Sequence, residues 1–157
     1  NNVFTTSNNM RIGNRSGASY GDCLSGWRFT TIPVPQAAII TSASIIVSAY
    51  DNTSTSINTK IYAEDVDDAT AFGSSSSDLT NRTLTTAAVD WDITSSWTTD
   101  NWYTSPDVKT VIQEIVDRGS WSSNNDINIM IKDDGSTTGN NRNINTTCQH
   151  KISRNRI

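Results

Sequence analysis

Between turn-forming residues the chain runs in short stretches where every second side chain is apolar, the period of a strand with one buried face. The longest runs from Ile39 to Tyr50: Ala43, Ile45, Val47 and Ala49 share one face, and Ser42, Ser44, Ile46 and Ser48 the other. After the polar turn Asp51 to Ser56, the series Ile57, Thr59, Ile61 and Ala63 repeats the alternation, which predicts a hairpin or an edge pairing. Ile127, Ile129 and Ile131 alternate with Asp126, Asn128 and Met130. Shorter strands are expected at Met10 to Ile12, before the Gly/Ser loop Gly13 to Gly21, and at Gly26 to Phe29, ending in the extended connector Ile32-Pro33-Val34-Pro35. Others are expected at Thr83 to Trp91, around Asn143 to Gln149, and at Ile152 to Ile157. Glu64 to Asp78 reads as a loop or a single irregular turn. One stretch has the helical period: Val108, Val111, Ile112, Ile115 and Val116 form a single stripe. Ser105 is placed to cap it, Pro106 to open it, Asp107 to face its positive end, and Gly119 to close it in a left-handed conformation. These elements predict a mainly β protein, an antiparallel β-sandwich of jelly-roll or Greek-key type with one α-helix on a connection. With no repeat and no long linker, residues 1–157 form one module.

Composition supports that class. Val, Ile and Thr number 47 against 3 Leu, so residues branched at Cβ, which suit a pleated surface, dominate and a helical bundle or coiled coil is excluded. The longest apolar run is four residues, far below the roughly 20 that a membrane span needs. Ser, Thr and Asn supply 60 of the 157 residues and charged residues only 18%. Such a surface, four Asn-x-Ser/Thr tripeptides (Asn14, Asn52, Asn81, Asn145) and few lysines point to an extracellular, secreted or particle-surface setting. The opening at Asn1, without Met or leader, fits a mature, processed or excised segment. From Gly135 onward there are four basic residues (Arg142, Lys151, Arg154, Arg156) and no acid, against a net charge of −4 overall. A basic strand of this kind can meet anionic sugars or balance charge within the domain; aromatics do not interleave with it, so no nucleic-acid partner is expected.

Several segments, taken in order, resemble a widespread module. Trp27-Arg28-Phe29, Ile32-Pro33 and Ala38-Ile39-Ile40-Thr41-Ser42-Ala43 resemble the opening of the DNRLRE, or disaggregatase-related, family. Ile61-Tyr62-Ala63-Glu64-Asp65, Val89-Asp90-Trp91, Ser105-Pro106-Asp107-Val108-Lys109, Ile112-Gln113-Glu114-Ile115-Val116 and Gly119-Ser120-Trp121 look like its framework. The likeness runs from about Trp27 to the end, with Gln36-Ala37 where the family tends to have Gly-Ala. It implies a β-sandwich appended to larger secreted or cell-surface proteins, a group that includes carbohydrate-binding modules.

Candidate chemistry is sparse. Glu64, Asp65, Asp67 and Asp68 offer hard oxygen ligands for a structural Ca²⁺, or form a solvated acidic loop. Of the five tryptophans, Trp91, Trp97 and Trp121 are expected in the core. Trp102 and Tyr103, in the polar stretch before the helix, are either exposed aromatics that stack on a sugar or a hydrophobic staple for that helix. Cys23 and Cys148 either form one disulfide joining the first and last thirds of the chain or are two separate thiols. The sole histidine, His150, and the absence of a Gly-x-Ser-x-Gly elbow or a metal-binding His pair argue against catalysis. The expected function is therefore a non-catalytic extracellular β-sandwich, carbohydrate-binding or an adhesive appendage of a larger surface protein, with polysaccharide or glycan as partner. The alternative is a self-associating structural subunit of an extracellular filament, fibre or virion surface assembly.

Overall fold

A computed structural model describes residues 9–17 and 21–155. They form two antiparallel sheets. The strands are β1 (Asn9–Arg15), β2 (Gly21–Asp22), β3 (Leu24–Phe29), β4 (Ile40–Ala49), β5 (Thr59–Ala63), β6 (Val89–Asp90), β7 (Trp102–Thr104), β8 (Ile127–Asp133) and β9 (Asn141–Arg154). The first sheet has the order β2-β1-β9-β4-β7 and the second β3-β8-β5-β6. Leaving aside the two-residue β2, first pairs with last, second with seventh, third with sixth and fourth with fifth: the winding of a jelly roll.

The alternation in β4 places its side chains as expected. Ala43, Ile45, Val47 and Ala49 are buried between the sheets, facing Ile61, Ala63, Ile127, Ile129 and Ile131 of the second sheet. Trp91, Trp97 and Trp121 are buried with them. The expected pairing of β4 with the next strand does not form, because residues 50–58 carry the chain across to the other sheet, held by the bridges Thr53–Trp97 and Ile57–Ile93. Thr83 to Trp91 yields only β6. Ahead of β6 the stretch is held by a single antiparallel bridge, Glu64–Leu84, and by side chains: the Thr85 hydroxyl accepts from the Ala63 N–H, and the Glu114 carboxylate from the N–H groups of Thr86 and Ala87. The two expected C-terminal strands are one, β9, which pairs with β1 through Asn145 and with β4 out to Arg154, absorbing the change of partner in a bulge opposite Ser48. Residues 156 and 157 lie outside the described residues.

The helix α2 (Lys109–Val116) lies on the connection from β7 to β8 and buries Val111, Ile112, Ile115 and Val116, with Val108 as its N-cap. Its start differs from the sequence expectation. Ser105 and Asp107 turn their oxygens to β4, accepting from the N–H groups of Ile45 (3.1 Å) and Ala43 (2.9 Å), so β4 stays paired beyond the end of β7. Asp107 also accepts from the Lys109 N–H and thereby satisfies one orphan donor of the helix. The helix closes through Asp117 in a right-handed conformation, not at a left-handed Gly119. Ala37, in the turn after the prolines, takes the left-handed value, φ 56°, and its N–H donates to Val116, which ties this turn to the end of α2.

The stretch from Asp65 to Thr86, where a loop or a single irregular turn was expected as far as Asp78, contains a short helical turn, α1 (Ser76–Thr80), and covers the outer face of the second sheet. Phe72 and Leu79 sit on Gly26, where an added Cβ would lie 2.7 Å from the Phe72 ring, so a larger residue would displace this layer. Asn128 and Met130, on the outer side of β8, are consequently buried as completely as the isoleucines on its inner side.

Candidate functional site

The two outer faces thus differ. Among the described residues the second sheet carries a layer of chain, whereas the first presents its outer side chains directly. On β7, Trp102 opposes Ser48 and Thr104 opposes Ile46, so both point outward, while Tyr103 opposes Val47 and points inward. The two aromatics proposed as a pair are therefore separated by the sheet. Tyr103 stacks on Trp97 with centroids 4.3 Å apart and planes 7° from parallel, and its hydroxyl accepts from the Thr98 N–H. It is a core residue. Trp102 is 49% exposed.

Sequence reasoning missed the second aromatic at this corner, Tyr50, which follows β4 and is 42% exposed. Asp100, Asn101 and Ala49 bond backbone to backbone there, so the start of β7 lies against the end of β4 and Tyr50 is two residues along from the partner of Trp102. The signal was present in the alternation, since Tyr50 falls in phase with the outward Ser48.

Around this corner the outward residues are amides and hydroxyls. The Asn145 amide donates to the Ser48 hydroxyl at 3.0 Å. Asn143 donates to Asp51 at 2.5 Å and accepts from the Arg11 Nε at 2.6 Å, while the second Asp51 oxygen is buried without a protein partner. These side chains are fixed by one another before any ligand arrives. The surface is dense in hydrogen-bonding groups, with an exposed indole and phenol at its edge. A sugar ring needs that combination, because its C–H face covers an aromatic while its hydroxyls meet polar neighbours.

The four acidic residues are not brought together. Glu64 is buried and shares one oxygen between Arg82 (2.6 Å) and the Asn128 amide (2.7 Å). Asp65 and Asp67 both bind Arg118, and Asp68 accepts from the Asp126 N–H. The hydrogen bond that Arg118 donates to Asp67, opposed by burial and assisted by the charge of Asp65, raises the Arg118 pKa. Arginine thus occupies the oxygens a cation would need, and among the described residues no three acidic, His or Cys side chains are placed to hold a metal ion.

Cys23 and Cys148 are free thiols. Cys23 bonds through its N–H to Gly13, which pairs with Asn141, and Cys148 lies seven residues further along β9. At the rise of a strand that is about 20 Å, against the roughly 4.4–6.8 Å between Cα atoms that a disulfide spans. Burial raises both thiols, Cys148 to about 12. At pH 8 roughly one Cys148 in ten thousand is then a thiolate. Adding reductant is expected to leave the melting temperature and the intact mass unchanged, and thiol alkylation of the native protein at pH 8 is expected to spare Cys148. A mass increase of two hydrogens on reduction would contradict this arrangement.

His150 lies on β9 against Phe29, with centroids 4.7 Å apart, and burial lowers its pKa. The C-terminal basic residues divide: Lys151 and Arg154 are exposed, Arg156 lies outside the described residues, and Arg142 is wholly buried. No known family model matches the chain, and no curated protein matches it.

Proposed function

We propose that the protein is a non-catalytic extracellular module that binds carbohydrate, as a free domain or as the adhesive appendage of a larger surface protein, through the outer face of its first sheet. One observation carries the reading: Trp102 stands half-exposed beside Tyr50 on a sheet whose neighbouring outward amides, Asn143 and Asn145, are half-buried, uncharged and already positioned. Preset groups lose little freedom on binding, which favours weakly binding ligands such as sugars. The chain's resemblance to the DNRLRE family supports the same reading, since that family includes carbohydrate-binding modules of secreted proteins.

Titration with soluble plant, microbial and host polysaccharides is expected to shift tryptophan fluorescence, with Trp102 as the reporter. Trp102→Ala is expected to weaken binding at least tenfold, the scale of a lost stacking contact of about 1.5 kcal/mol or more. The same substitution should change stability by less than about 1 kcal/mol, because the ring is on the surface. A broad polysaccharide panel without response would overturn the proposal.

The alternative reading, a structural subunit of an extracellular filament, fibre or virion surface, draws on two features. Ile39 is 62% exposed at the start of β4, and among the described residues β9 beyond Asn145 pairs on one side only. An edge of that length is a template for strand addition. Light scattering that shows assembly at micromolar concentration would favour it, and a monomer would count against it.

A further inference from the structure

The four Asn-x-Ser/Thr tripeptides are equivalent in sequence, and the fold separates them into two classes. Asn14 and Asn145 lie in strands and spend their amide nitrogens on structure: Asn14 donates to Asp22 at 2.9 Å, and Asn145 to the Ser48 hydroxyl between β1 and β4. A substituent on either nitrogen would break that bond, and at Asn145 it would displace the amide from Ser48 on the outer face of the first sheet.

Asn52 and Asn81 are different. Both are exposed and both lie in connections. Asn52 uses only its side-chain oxygen, which accepts from the Thr99 N–H (2.8 Å) and hydroxyl (3.1 Å). Its amide nitrogen has no hydrogen-bond partner among the described residues, so a substituent there breaks no bond. Asn81 ends α1, where its backbone N–H donates to Ser77, and its side chain has no hydrogen-bond partner among the described residues. The third residues, Ser54 and Thr83, are exposed as well.

We infer that Asn52 and Asn81 are N-glycosylation sites and that Asn14 and Asn145 are not, an inference that rests on the extracellular reading. The co-reactant is an oligosaccharide carried on a lipid pyrophosphate. The amide nitrogen bonds to its anomeric carbon as the bond from that carbon to the pyrophosphate oxygen breaks. The lipid pyrophosphate leaves with the electron pair, and the amide loses one proton to the transferase. A glycan at Asn52 borders the Tyr50 and Trp102 corner, two residues from Tyr50, while one at Asn81 stands on the layer over the second sheet.

The test is secretion of the full chain behind a leader from a eukaryotic host, followed by intact-mass spectrometry and peptide mapping after enzymatic deglycosylation in heavy-oxygen water. Two glycans are expected, one lost in Asn52→Gln and one in Asn81→Gln. Ser54→Ala and Thr83→Ala should remove the same glycans while leaving both asparagines in place, which covers a folding defect in the Asn variants. Bare Asn52 and Asn81, or a glycan on Asn14 or Asn145 of the secreted protein, overturns the inference. Fractionation of the native source tests the extracellular location separately, so the two can fail independently.

Discussion

Arg142→Met is expected to destabilise the protein by about 3–5 kcal/mol, a large share of the roughly 5–15 kcal/mol that holds a domain together. Arg142 is wholly buried, without a carboxylate, and its guanidinium donates to the carbonyls of Thr55 (2.7 Å), Ser95 (2.8 Å) and Thr53 (3.2 Å) while lying 5.1 Å from the Trp97 ring. Those carbonyls belong to the two chain crossings on either side of the Thr53–Trp97 bridge, so one side chain of β9 ties both to the first sheet. Burial lowers its pKa, which measures the cost of keeping the charge inside. That cost is smaller than the loss when three part-buried carbonyls give up charged donors and the core position is left without its hydrogen bonds. Methionine keeps most of the stem and isolates the hydrogen bonds from the packing. Lysine should recover less than half, because an ammonium on a flexible stem cannot reach three carbonyls arranged for a planar fork. Chemical denaturation measures both variants; a midpoint for Arg142→Met within error of the parent would show that the crossings hold without it.

Arg82→Ala is expected to cost a similar amount, about 3–5 kcal/mol, by a different route. Arg82 and Glu64 are almost wholly enclosed, with side chains 7% and 10% exposed, so deleting the arginine leaves a buried carboxylate with only the Asn128 amide. The loss reaches further, since Arg82 also donates to the carbonyls of Thr70 and Ala71, pairs with Asp78 and lies 4.6 Å from the Phe72 ring. Burial opposes its charge, yet the hydrogen bonds to Glu64 and Asp78 outweigh this and raise its pKa. The double variant Glu64→Gln/Arg82→Ala should recover part of the loss, because no unpaired charge remains inside. Hydrogen exchange in the Arg82→Ala variant should speed most across residues 65–86, with β4 and β9 less affected. Uniform protection would contradict a latch on the outer layer. Acid should loosen the same layer. The Gly73 N–H, then Arg82, hold the Asp78 carboxyl below its ordinary 3.8, so its contribution is complete above that value and is lost as the pH falls through the lower folded one.

These two arginines mark where sequence reasoning stopped. Ala43, Ile45, Val47 and Ala49 announce a buried face, because alternation is a local property that any strand with one wet side must show. The stripe from Val108 to Val116 announces a helix for the same reason. Arg142 shares its face of β9 with Ile144, a phase that marks it as inward, but its positive charge placed it with the basic surface. The charges of Glu64 to Asp68 were legible, and their partners were not, since Arg82 and Arg118 reach them across 18 and about 50 residues.

By itself the sequence determined that this chain is an antiparallel sandwich of short strands sealed by one helix, because the 2.0 and 3.6 periods and the prolines act over a few residues. Only the tertiary structure decided which strands are neighbours, which outer face the 65–86 layer covers, that Trp102 and Tyr103 part company across a sheet, and that Cys23 and Cys148 never meet. Those outcomes depend on register and on crossings between sheets. A shift of one residue in the pairing exchanges every inward and outward side chain while leaving the local pattern the same.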